Sequence, residues 1–494
     1  QARPSPRPAG GCLAAMEPAD SAPQGGGSSS SSTAPAAAAS WEAVLDSGSL
    51  HHGFPDYAQS TGLLDKWRVQ YPHLLRKEVV GHSFEGRAID AYVVGSREAT
   101  AFEGDTARLL VSSLIHAREY ASLTVALYWM GHTLAKYGED PLVTHLLDTR
   151  EVWVIPFTNI DAFIANEKDP QQMIRKNRRP TCKKSWSLGG VDLNRNFDFH
   201  WHAVGGPCDE EFAGDKPFSE PESRMLRDLV GKYEFSCVSL LHTYGSMLAH
   251  PYAYTARHSS LPAEDKAIYD ELSASLGFLK SGTIPEILNY TASGEAGDWL
   301  YGVRGIISMT LEVGPESGGF QPPKREIAGI NSRNFPRLTK LLRVAGLDLQ
   351  ASLQDRGGGE FALLLRNAGL APGAVFVHFS APEVTLFGGL DKEDGLAGVY
   401  LKRRSDVIAI RGTANGTVSY CATRAHGGCL CGGGLEDVPR HVFAADEPCA
   451  AARGVLASRF GGQIRRPFPG AMAGAPPEGL ALVGASAAPA ATAA

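Results

Sequence analysis

Long apolar runs are missing from this sequence of 494 residues. No uninterrupted apolar stretch reaches the roughly 20 residues that a helix needs to cross a bilayer. A strong excess of charge is missing as well, because the formal net charge is only -6. Such a balance gives no electrostatic reason to expect a nucleic acid or an anionic membrane as partner. The sequence therefore predicts neither a membrane span nor nucleic-acid binding.

Cysteine is scarce: the sequence has 8 cysteines, which are too few for a disulfide scaffold to stabilise a chain of this length. Cys182 and Cys208 flank one loop-like segment. Four others cluster towards the end of the chain, namely Cys421, Cys429, Cys431 and Cys449. The spacing of these four fits no familiar structural zinc pattern. Disulfides or free thiols are favoured for them, with a metal site as the alternative.

The composition changes along the chain and predicts several segments. Residues 1–40 are rich in Ala, Gly, Pro and Ser and are expected to be disordered. Residues 41–348 alternate strand-like and helix-like stretches and are expected to form the main domain. Residues 357–464 contain short strand candidates separated by turn residues, which predicts a small β-rich accessory domain of sandwich type. Residues 465–494 return to Pro, Gly and Ala and are expected to form a disordered tail.

The alternation in the main domain predicts an α/β fold in which helices cover a central sheet. Its helix candidates span residues 56–71, 122–137, 221–233, 262–276 and 332–348. Its strand candidates span residues 75–80, 88–94, 107–115, 151–156, 238–241 and 306–312. The strand candidates of the β-rich region span residues 361–365, 374–379, 383–387, 398–402, 407–411 and 417–422.

The strongest chemical signal is the pair His116 and Glu119, three residues apart just beyond a strand candidate. At that spacing both side chains can turn toward one point, and imidazole and carboxylate are good zinc ligands. His242 ends a second strand candidate and supplies a third ligand, as a catalytic zinc site requires. Taken alone, His116 and Glu119 could form an ordinary ion pair in a surface loop. Taken alone, His242 could have a purely structural role. Together they predict a zinc site.

A catalytic zinc site also needs a base, and Glu312 at the end of an apolar strand candidate is the candidate. A carboxylate buried there would be costly unless it were paired or used. Arg195, beside Asn194, could hold a peptide's terminal carboxylate through two parallel hydrogen bonds. Arg175 could stabilise the oxyanion of a tetrahedral intermediate. The simpler alternatives are a surface or salt-bridged glutamate and solvated arginines.

An ordered set of short motifs extends across residues 56–342, about three-fifths of the chain. The motifs are Tyr71-Pro72-His73, Gly81-x-Ser83-x-Glu85-Gly86-Arg87, His116-Ala117-Arg118-Glu119, Arg175-Lys176, Asn194-Arg195-Asn196-Phe197, Leu241-His242-Thr243-Tyr244, Tyr290-Thr291-Ala292-Ser293-Gly294, Asp298-Trp299 and Thr310-Leu311-Glu312. In these motifs the chain resembles the zinc metallocarboxypeptidase family, the group that contains carboxypeptidases A and B. The resemblance implies an α/β/α sandwich around a mixed eight-stranded sheet, and hydrolysis of the C-terminal peptide bond of peptides or proteins with a free C-terminus.

The resemblance also implies a role for each matching residue of the catalytic centre. The zinc ligands would be His116, Glu119 and His242. Glu312 would be the general base, and Arg175 would be the cation that stabilises the oxyanion. These are the roles that the residue types and their spacing also favour.

Further matching residues would bind the substrate. The resemblance implies that Asn194 and Arg195 clamp the terminal carboxylate and that Tyr290 is a mobile side chain that closes over it. Arg118 and Tyr244 fall where the family contacts residues further along the peptide. A monomer is expected.

The disulfide and the specificity pocket follow from the same comparison. Cys182 and Cys208 lie where pancreatic members carry a disulfide, which favours an extracellular protein. Specificity in the family depends on the residue before the Asp-Trp pair, which is Gly297 here and supplies neither wall nor charge. Ala253 adds no charge, whereas Glu295 could reach into the pocket. We predict a roomy pocket for large apolar or aromatic C-terminal residues, with basic residues possible through Glu295.

Two alternatives remain on this fold. One is a bacterial-type hydrolase of cell-wall peptides, because such peptides also carry a terminal carboxylate. The other is a peptide-binding protein without activity. The combination of three ligands, a base and a carboxylate clamp argues against the second alternative.

Overall fold

The computed structural model describes most of the chain up to residue 434. The described residues are 41–96, 106–185, 187–256, 261–358, 360–379, 384–386, 396–401, 408–414, 419–423 and 429–434. Contacts divide the chain into two units, separated between Ala345 and Gly346. The predictions for residues 1–40 and 465–494, and for the pairing of the four clustered cysteines, lie outside the described residues and side chains.

The larger unit is built on a sheet of eight strands. In chain order the strands are β1 Leu75–His82, β2 Ala88–Val94, β3 Ala107–Ser112, β4 Arg150–Ile155, β5 Cys237–His242, β6 Met247–His250, β7 Lys280–Thr283 and β8 Ile307–Glu312. In space their order is β1-β2-β4-β3-β5-β8-β6-β7. The neighbours β4, β3, β5 and β8 run parallel, whereas β1, β2 and β6 each pair antiparallel with a neighbour. The expected mixed eight-stranded sheet is therefore confirmed.

Helices cover this sheet and bury its central strands. The helices of the unit are α1 Trp41–Asp46, α2 Tyr57–Gln70, α3 Tyr120–Lys136, α4 Pro141–Thr149, α5 Ile160–Lys168, α6 Pro221–Lys232, α7 Ala263–Leu276, α8 Ile284–Leu288, α9 Ala296–Gly302 and α10 Lys324–Ala345. Every residue of β4 and β5 is buried, as parallel strands are when helices lie on both faces of a sheet. This confirms the α/β/α layering.

Local sequence signals explain where several elements begin and end. Asp56 caps α2 through a capping box with Gln59, which stabilises the start of the expected helix. The strand candidate 107–115 was too long, since β3 ends at Ser112 and Leu114 adopts a left-handed conformation with a φ of 52°. That turn leads the chain away from the sheet just before the first candidate ligand.

The last helix of the larger unit differs from its sequence candidate at both ends. The candidate was residues 332–348, but α10 already begins at Lys324, directly after Pro323. The helix ends at Ala345, directly before Gly346. Both ends are typical, since proline often stands at the start of a helix and glycine often follows its last residue. Residues 346–348 are therefore not helical, and Leu349 begins a strand.

The smaller unit is β-rich in its described residues. Its strands are β9 Leu349–Gly357, β10 Glu360–Asn367, β11 Gly373–Phe379, β12 Val384–Leu386, β13 Leu396–Leu401, β14 Ile408–Ala414, β15 Ser419–Thr423 and β16 Cys429–Gly434. They form two four-stranded sheets, ordered β12-β14-β10-β9 and β13-β11-β15-β16. The expected β-rich region is confirmed, although the sequence candidates omitted β9 and β16.

One disulfide closes a loop that carries part of the candidate site. Cys182 and Cys208 are bonded across a sequence separation of 26 residues. This confirms the pairing that the resemblance implied. The closed loop contains Asn194 and Arg195, so the bond restricts the segment that presents them. Among the described residues, none of the helices combines the length and the apolar character that a bilayer crossing requires.

Candidate functional site

The candidate metal ligands lie at one edge of the sheet, where parallel strands end. His116 follows β3 by four residues, and His242 is the last residue of β5. These two strands are neighbours, so their carboxyl ends bring the two imidazoles together. Glu119 lies at the N-cap of α3, directly after the turn that holds His116. In α/β sheets this edge is where ligands commonly bind.

The three side chains converge closely enough to share one ion. Nδ1 of His116 lies 2.9 Å from one carboxylate oxygen of Glu119, and Nδ1 of His242 lies 3.1 Å from the other. All three side chains are buried, and their candidate ligand atoms lie within 4.8 Å of one another. Two imidazoles and one carboxylate are the ligand set of a catalytic zinc centre. The residues therefore fit zinc.

The charges of these groups also suit a metal. Burial opposes ionisation of Glu119, but the adjacent imidazoles hold the pKa of its carboxyl well below the ordinary value. Burial, together with Arg175, lowers the pKa of His116 and keeps it neutral. Burial also acts to lower the pKa of His242, but the attraction of the Glu119 carboxylate is stronger, and the pKa of His242 is raised. A metal ion would compete with protons for the ring nitrogens of both histidines.

Asp192 belongs to this centre and was not singled out from the sequence. It is fully buried, with Oδ1 3.2 Å from Nε2 of His116. Its Oδ2 accepts a hydrogen bond from Nε of Arg175 at 3.0 Å. A carboxylate behind the ring places the proton on Nε2 of His116 and leaves Nδ1 to bind a metal. The sequence places Asp192 just before Asn194 and Arg195, but spacing alone does not reveal which groups it contacts.

Glu312 lies beside the candidate metal ligands, as the sequence predicts. It ends β8, where it is the register partner of His242 at the end of β5. Its Oε2 is buried and has no hydrogen-bond partner in the described part of the chain. Burial raises the pKa of Glu312 to about 8, although His242 acts in the opposite direction. A carboxylate in this setting is suited to accept a proton from a bound molecule.

Arg195 and Asn194 lie together, as a clamp requires. The side chain of Arg195 is 5% exposed, and its guanidinium donates to the backbone oxygen of Asn194 and to Glu211, both at 3.0 Å. The side-chain oxygen of Asn194 accepts a hydrogen bond from the backbone N–H of Ala296 at 3.0 Å. Glu211, which the sequence analysis did not identify, is the carboxylate that pairs with the proposed carboxylate-binding arginine.

A cavity of about 330 Å³ brings most of the sequence-predicted site residues together. Nine of them line it, namely His116, Glu119, Arg175, Asn194, Arg195, His242, Tyr244, Tyr290 and Glu312. Arg118 is not among its lining residues. Instead, the guanidinium of Arg118 pairs with Glu210 and lies 3.9 Å from the ring centre of Phe320, which does line the cavity and packs against Tyr244.

Apolar side chains form part of the cavity wall. Met247, Ile284 and Leu288 line it, and Ile284 belongs to a buried cluster with Ala253 and other small apolar residues. The cavity therefore combines a charged centre with an apolar wall, as sites for amphipathic ligands do.

Comparison with protein families gives one clear match. The family described as zinc carboxypeptidase matches residues 61–337, which include every site residue described above. Human carboxypeptidase B is 31% identical over 289 residues, which cover 55% of this chain and 67% of that protein. A zinc carboxypeptidase from Simulium vittatum is 28% identical over 292 residues, which cover 57% of this chain and 92% of that protein.

Solved structures share the fold. The crystal structure of thrombin-activatable fibrinolysis inhibitor superposes with a TM-score of 0.53 at 24% identity, covering 59% of this chain and 74% of that chain. Carboxypeptidase A from Helicoverpa armigera gives a TM-score of 0.51 at 22% identity, covering 62% and 78%. At these identities the similarity supports the fold alone.

Proposed function

The chain belongs to the zinc carboxypeptidase family, and we propose that its active centre consists of the residues that converge in the cavity. As a member of this family it is a metallocarboxypeptidase, a zinc-dependent hydrolase that acts on peptides. The observation that carries the assignment is the group of His116, Glu119 and His242, buried and mutually within reach of one ion. These three residues would hold the zinc.

Glu312 acts as the general base in this proposal. When bound, zinc supplies Lewis acidity to the scissile carbonyl and to a water molecule. Glu312 accepts the proton of the attacking water, because its buried Oε2 has no competing partner among the described residues. The same carboxyl group then returns the proton to the leaving amine.

Arg175 supports the negative charge that develops on the carbonyl oxygen. Its guanidinium lines the cavity and is held by Asp192, with Nη2 2.9 Å from Oδ2. A cation fixed before the reaction stabilises the transition state without reorganising during it. Asp192 thus positions Arg175 and His116 together.

The substrate's terminal carboxylate binds to Arg195 and Asn194. A planar guanidinium next to an amide donor suits a carboxylate with two oxygens. Tyr290 lines the cavity and is 44% exposed, so it stands where it could close over the bound terminus. Arg118 and Tyr244 contact Phe320 and are placed to meet residues further along the peptide.

The apolar wall of Ile284, Leu288 and Met247 supports a preference for large apolar or aromatic C-terminal side chains. We also propose that the protein is a monomer. We also propose an extracellular location, because the disulfide between Cys182 and Cys208 would persist in an oxidising compartment.

The proposal is tested with a blocked dipeptide that ends in a free phenylalanine. Its amidated form serves as the matched control, and both are assayed with and without a zinc chelator. We expect chelator-sensitive cleavage of the free acid alone, because the amide offers no carboxylate to Arg195. Equal cleavage of the acid and the amide would exclude the carboxylate clamp.

A cell-wall stem peptide is assayed in parallel. Cleavage of the stem peptide without cleavage of ordinary peptides would replace the proposed substrate class with cell-wall peptides. No cleavage by a protein that contains zinc would contradict the proposed activity.

A further inference from the structure

Arg195, the proposed anchor of the substrate's terminal carboxylate, already has a carboxylate partner within the chain. Its Nη2 lies 3.0 Å from Oε1 of Glu211, and its Nη1 donates to the backbone oxygen of Asn194 at 3.0 Å. The two side chains of the ion pair differ in exposure, because that of Arg195 is 5% exposed and that of Glu211 is 53% exposed. A buried cation is therefore paired with a carboxylate that stands largely in water.

Burial explains why Arg195 keeps such a partner. A guanidinium that is removed from water is costly unless acceptors and an opposite charge replace its lost hydration. The backbone oxygen of Asn194 supplies an acceptor without a full charge. Glu211 supplies the charge through the ion pair, and it does so before any substrate reaches the guanidinium.

The backbone of Glu211 is held on both sides, whereas its carboxylate faces solvent. On one side, Nζ of Lys176 donates to the backbone oxygen of Asp209 at 2.6 Å. On the other side, the backbone N–H of Asp192 donates to the backbone oxygen of Phe212 at 2.8 Å. These bonds fix where the side chain of Glu211 begins. Because more than half of that side chain is exposed, it can turn into solvent without leaving a buried contact.

The carboxylate of a substrate would meet Glu211 at the same guanidinium. Two carboxylates close to one cation repel each other, so they do not bind there independently. Glu211 regains full hydration when it turns away, and ion pairs with an exposed partner contribute little to stability. The substrate's carboxylate therefore replaces Glu211 at Arg195 instead of joining it.

Resting on the proposed carboxypeptidase function, we propose that Glu211 is a resident counterion of Arg195 that competes with the terminal carboxylate of the ligand. The competition weakens the binding of the substrate and of the amino acid that hydrolysis releases, since each must first break the internal ion pair. Glu211 thereby limits inhibition by the released amino acid. It acts through Arg195 and does not touch the reacting atoms.

The test measures the Kd of hydrocinnamate, a small carboxylate that carries a phenyl ring, by calorimetric titration of the zinc-loaded protein. Its uncharged amide is the matched control ligand. In Glu211→Gln the Kd of hydrocinnamate should fall by about three- to tenfold, more than an exposed ion pair would give, because Arg195 is buried. The amide should gain nothing, because it brings no charge to Arg195.

Salt provides a second readout that a merely structural role of Glu211 would not change. Added sodium chloride should weaken hydrocinnamate binding more in Glu211→Gln than in the wild type. The reason is that Arg195 then attracts the ligand with a charge that no internal ion pair offsets, and salt screens this attraction.

Two further variants guard against other causes. Glu211→Ala removes the carboxylate without leaving an amide donor and should tighten hydrocinnamate binding as Glu211→Gln does. Asp215→Asn removes a negative charge from an exposed position of the same segment. This control should leave the Kd within about 1.5-fold, because solvent screens a charge that does not contact Arg195.

The outcomes separate this inference from the function on which it rests. Unchanged or weaker hydrocinnamate binding in Glu211→Gln and Glu211→Ala would overturn the inference, since Glu211 would then orient Arg195. Equal tightening in Asp215→Asn, or for the amide, would also overturn it. Tighter binding by a protein that cleaves no peptide would contradict the carboxypeptidase function and leave the competition at Arg195 intact. Absence of hydrocinnamate binding in every variant would overturn the carboxylate clamp and the inference together.

Discussion

Asp192 holds two functional side chains at once. One of its oxygens contacts the ring of His116, and the other contacts the guanidinium of Arg175. Such a carboxylate fixes the orientation and the proton of a metal-binding histidine, and its loss commonly weakens metal binding by about 10- to 100-fold. Zinc affinity should therefore depend on a residue that does not touch the metal.

We expect Asp192→Asn to weaken zinc binding by about 10- to 100-fold, because an amide orients the ring less strongly than a carboxylate does. Competition with a chromogenic chelator measures the zinc Kd. Asp198→Asn, at an exposed position of the same segment, is the matched control. Equal Kd values for Asp192→Asn and the wild type would show that Asp192 has no part in metal binding.

Glu312→Gln should lower kcat by about 100- to 10,000-fold, as the loss of a general base commonly does, while zinc stays bound. The comparison needs both kcat and the zinc content of the purified variant. Glu316→Gln is the control, since Glu316 lines the same cavity at an exposed position. If Glu312→Gln kept near-normal turnover, another group would have to accept the proton.

The sequence identified some of these residues but not others, for a physical reason. His242 and Glu312 end apolar strands, and a polar residue after such a strand is visible in the pattern alone. Asp192 and Glu211 are defined by contacts made across loops, which spacing does not encode. Arg118 was predicted to contact the substrate, but its guanidinium lies against the ring of Phe320 and does not line the cavity.

Among the elements, the start of α6 is tied to the turn between β1 and β2 by Glu222. This residue is fully buried. Its carboxylate accepts a hydrogen bond from the backbone N–H of Phe84 at 2.8 Å and from the amide of Asn177 at 3.2 Å. Burial raises the pKa of Glu222 to about 7. The folded protein therefore holds this proton at pH values where the unfolded chain has lost it.

This proton makes stability depend on pH. Between the ordinary pKa near 4.5 and about 7, the folded state binds more protons at Glu222, so stability falls as pH rises. The loss approaches about 3 kcal/mol, since each pKa unit corresponds to about 1.4 kcal/mol. We expect Glu222→Gln to lose less unfolding free energy between pH 5 and pH 8 than the wild type, as measured by urea denaturation.

Glu234→Gln is the control for Glu222→Gln, because Glu234 is exposed. It should retain the pH dependence of the wild type. If Glu222→Gln showed the same dependence as well, the proton would have to be held elsewhere.

Strands of six or more residues in the larger unit were predicted from the sequence, whereas two strands of four residues were missed. β4, β5 and β8 are short apolar runs, and buried parallel strands have this composition. β6 and β7 have four residues each, and Lys280–Thr283 contains no large apolar side chain. These strands are therefore too short to show the alternation of apolar and polar residues by which a strand is predicted. Their place in the sheet is set by pairing with neighbours, which is a tertiary effect.

For the whole molecule, zinc should contribute to stability as well as to catalysis. Its proposed ligands follow β3, begin α3 and end β5, so a bound ion would join three elements. A ligand present at 1,000 times its Kd stabilises the folded state by about 4 kcal/mol. With an unfolding entropy of roughly 2.1 cal/mol/K per residue, a unit of about 300 residues changes its Tm by roughly 1.5 °C for each kcal/mol.

We therefore expect a chelator to lower the Tm of the larger unit by roughly 6 °C, and added zinc to restore it. Scanning calorimetry measures the change. His116→Ala is the control, since it lacks one ligand and should respond little to the chelator. A Tm that did not respond in the wild type would contradict a tightly bound zinc ion that joins these elements.

The overall architecture was accessible from the sequence through two independent signals. Alternating apolar segments indicated an α/β domain, and the resemblance to zinc metallocarboxypeptidases implied the mixed sheet of eight strands. The edges of the smaller unit were less accessible. Only Gly346, Leu347 and Asp348 separate α10 from β9. Because no clear turn signal lies between the two elements, the sequence candidate for the helix extended to residue 348 and the strand was missed.

The pairing of His242 with Glu312 across two parallel strands has a consequence for how the enzyme could change. Sheet register moves only in whole-residue steps, and a single step would send every side chain to the opposite face. The spacing between the proposed metal ligand and the proposed base therefore cannot change by small amounts as surrounding loops lengthen or shorten. Selection or protein engineering could then exchange the loops that choose substrates while the catalytic spacing is inherited intact.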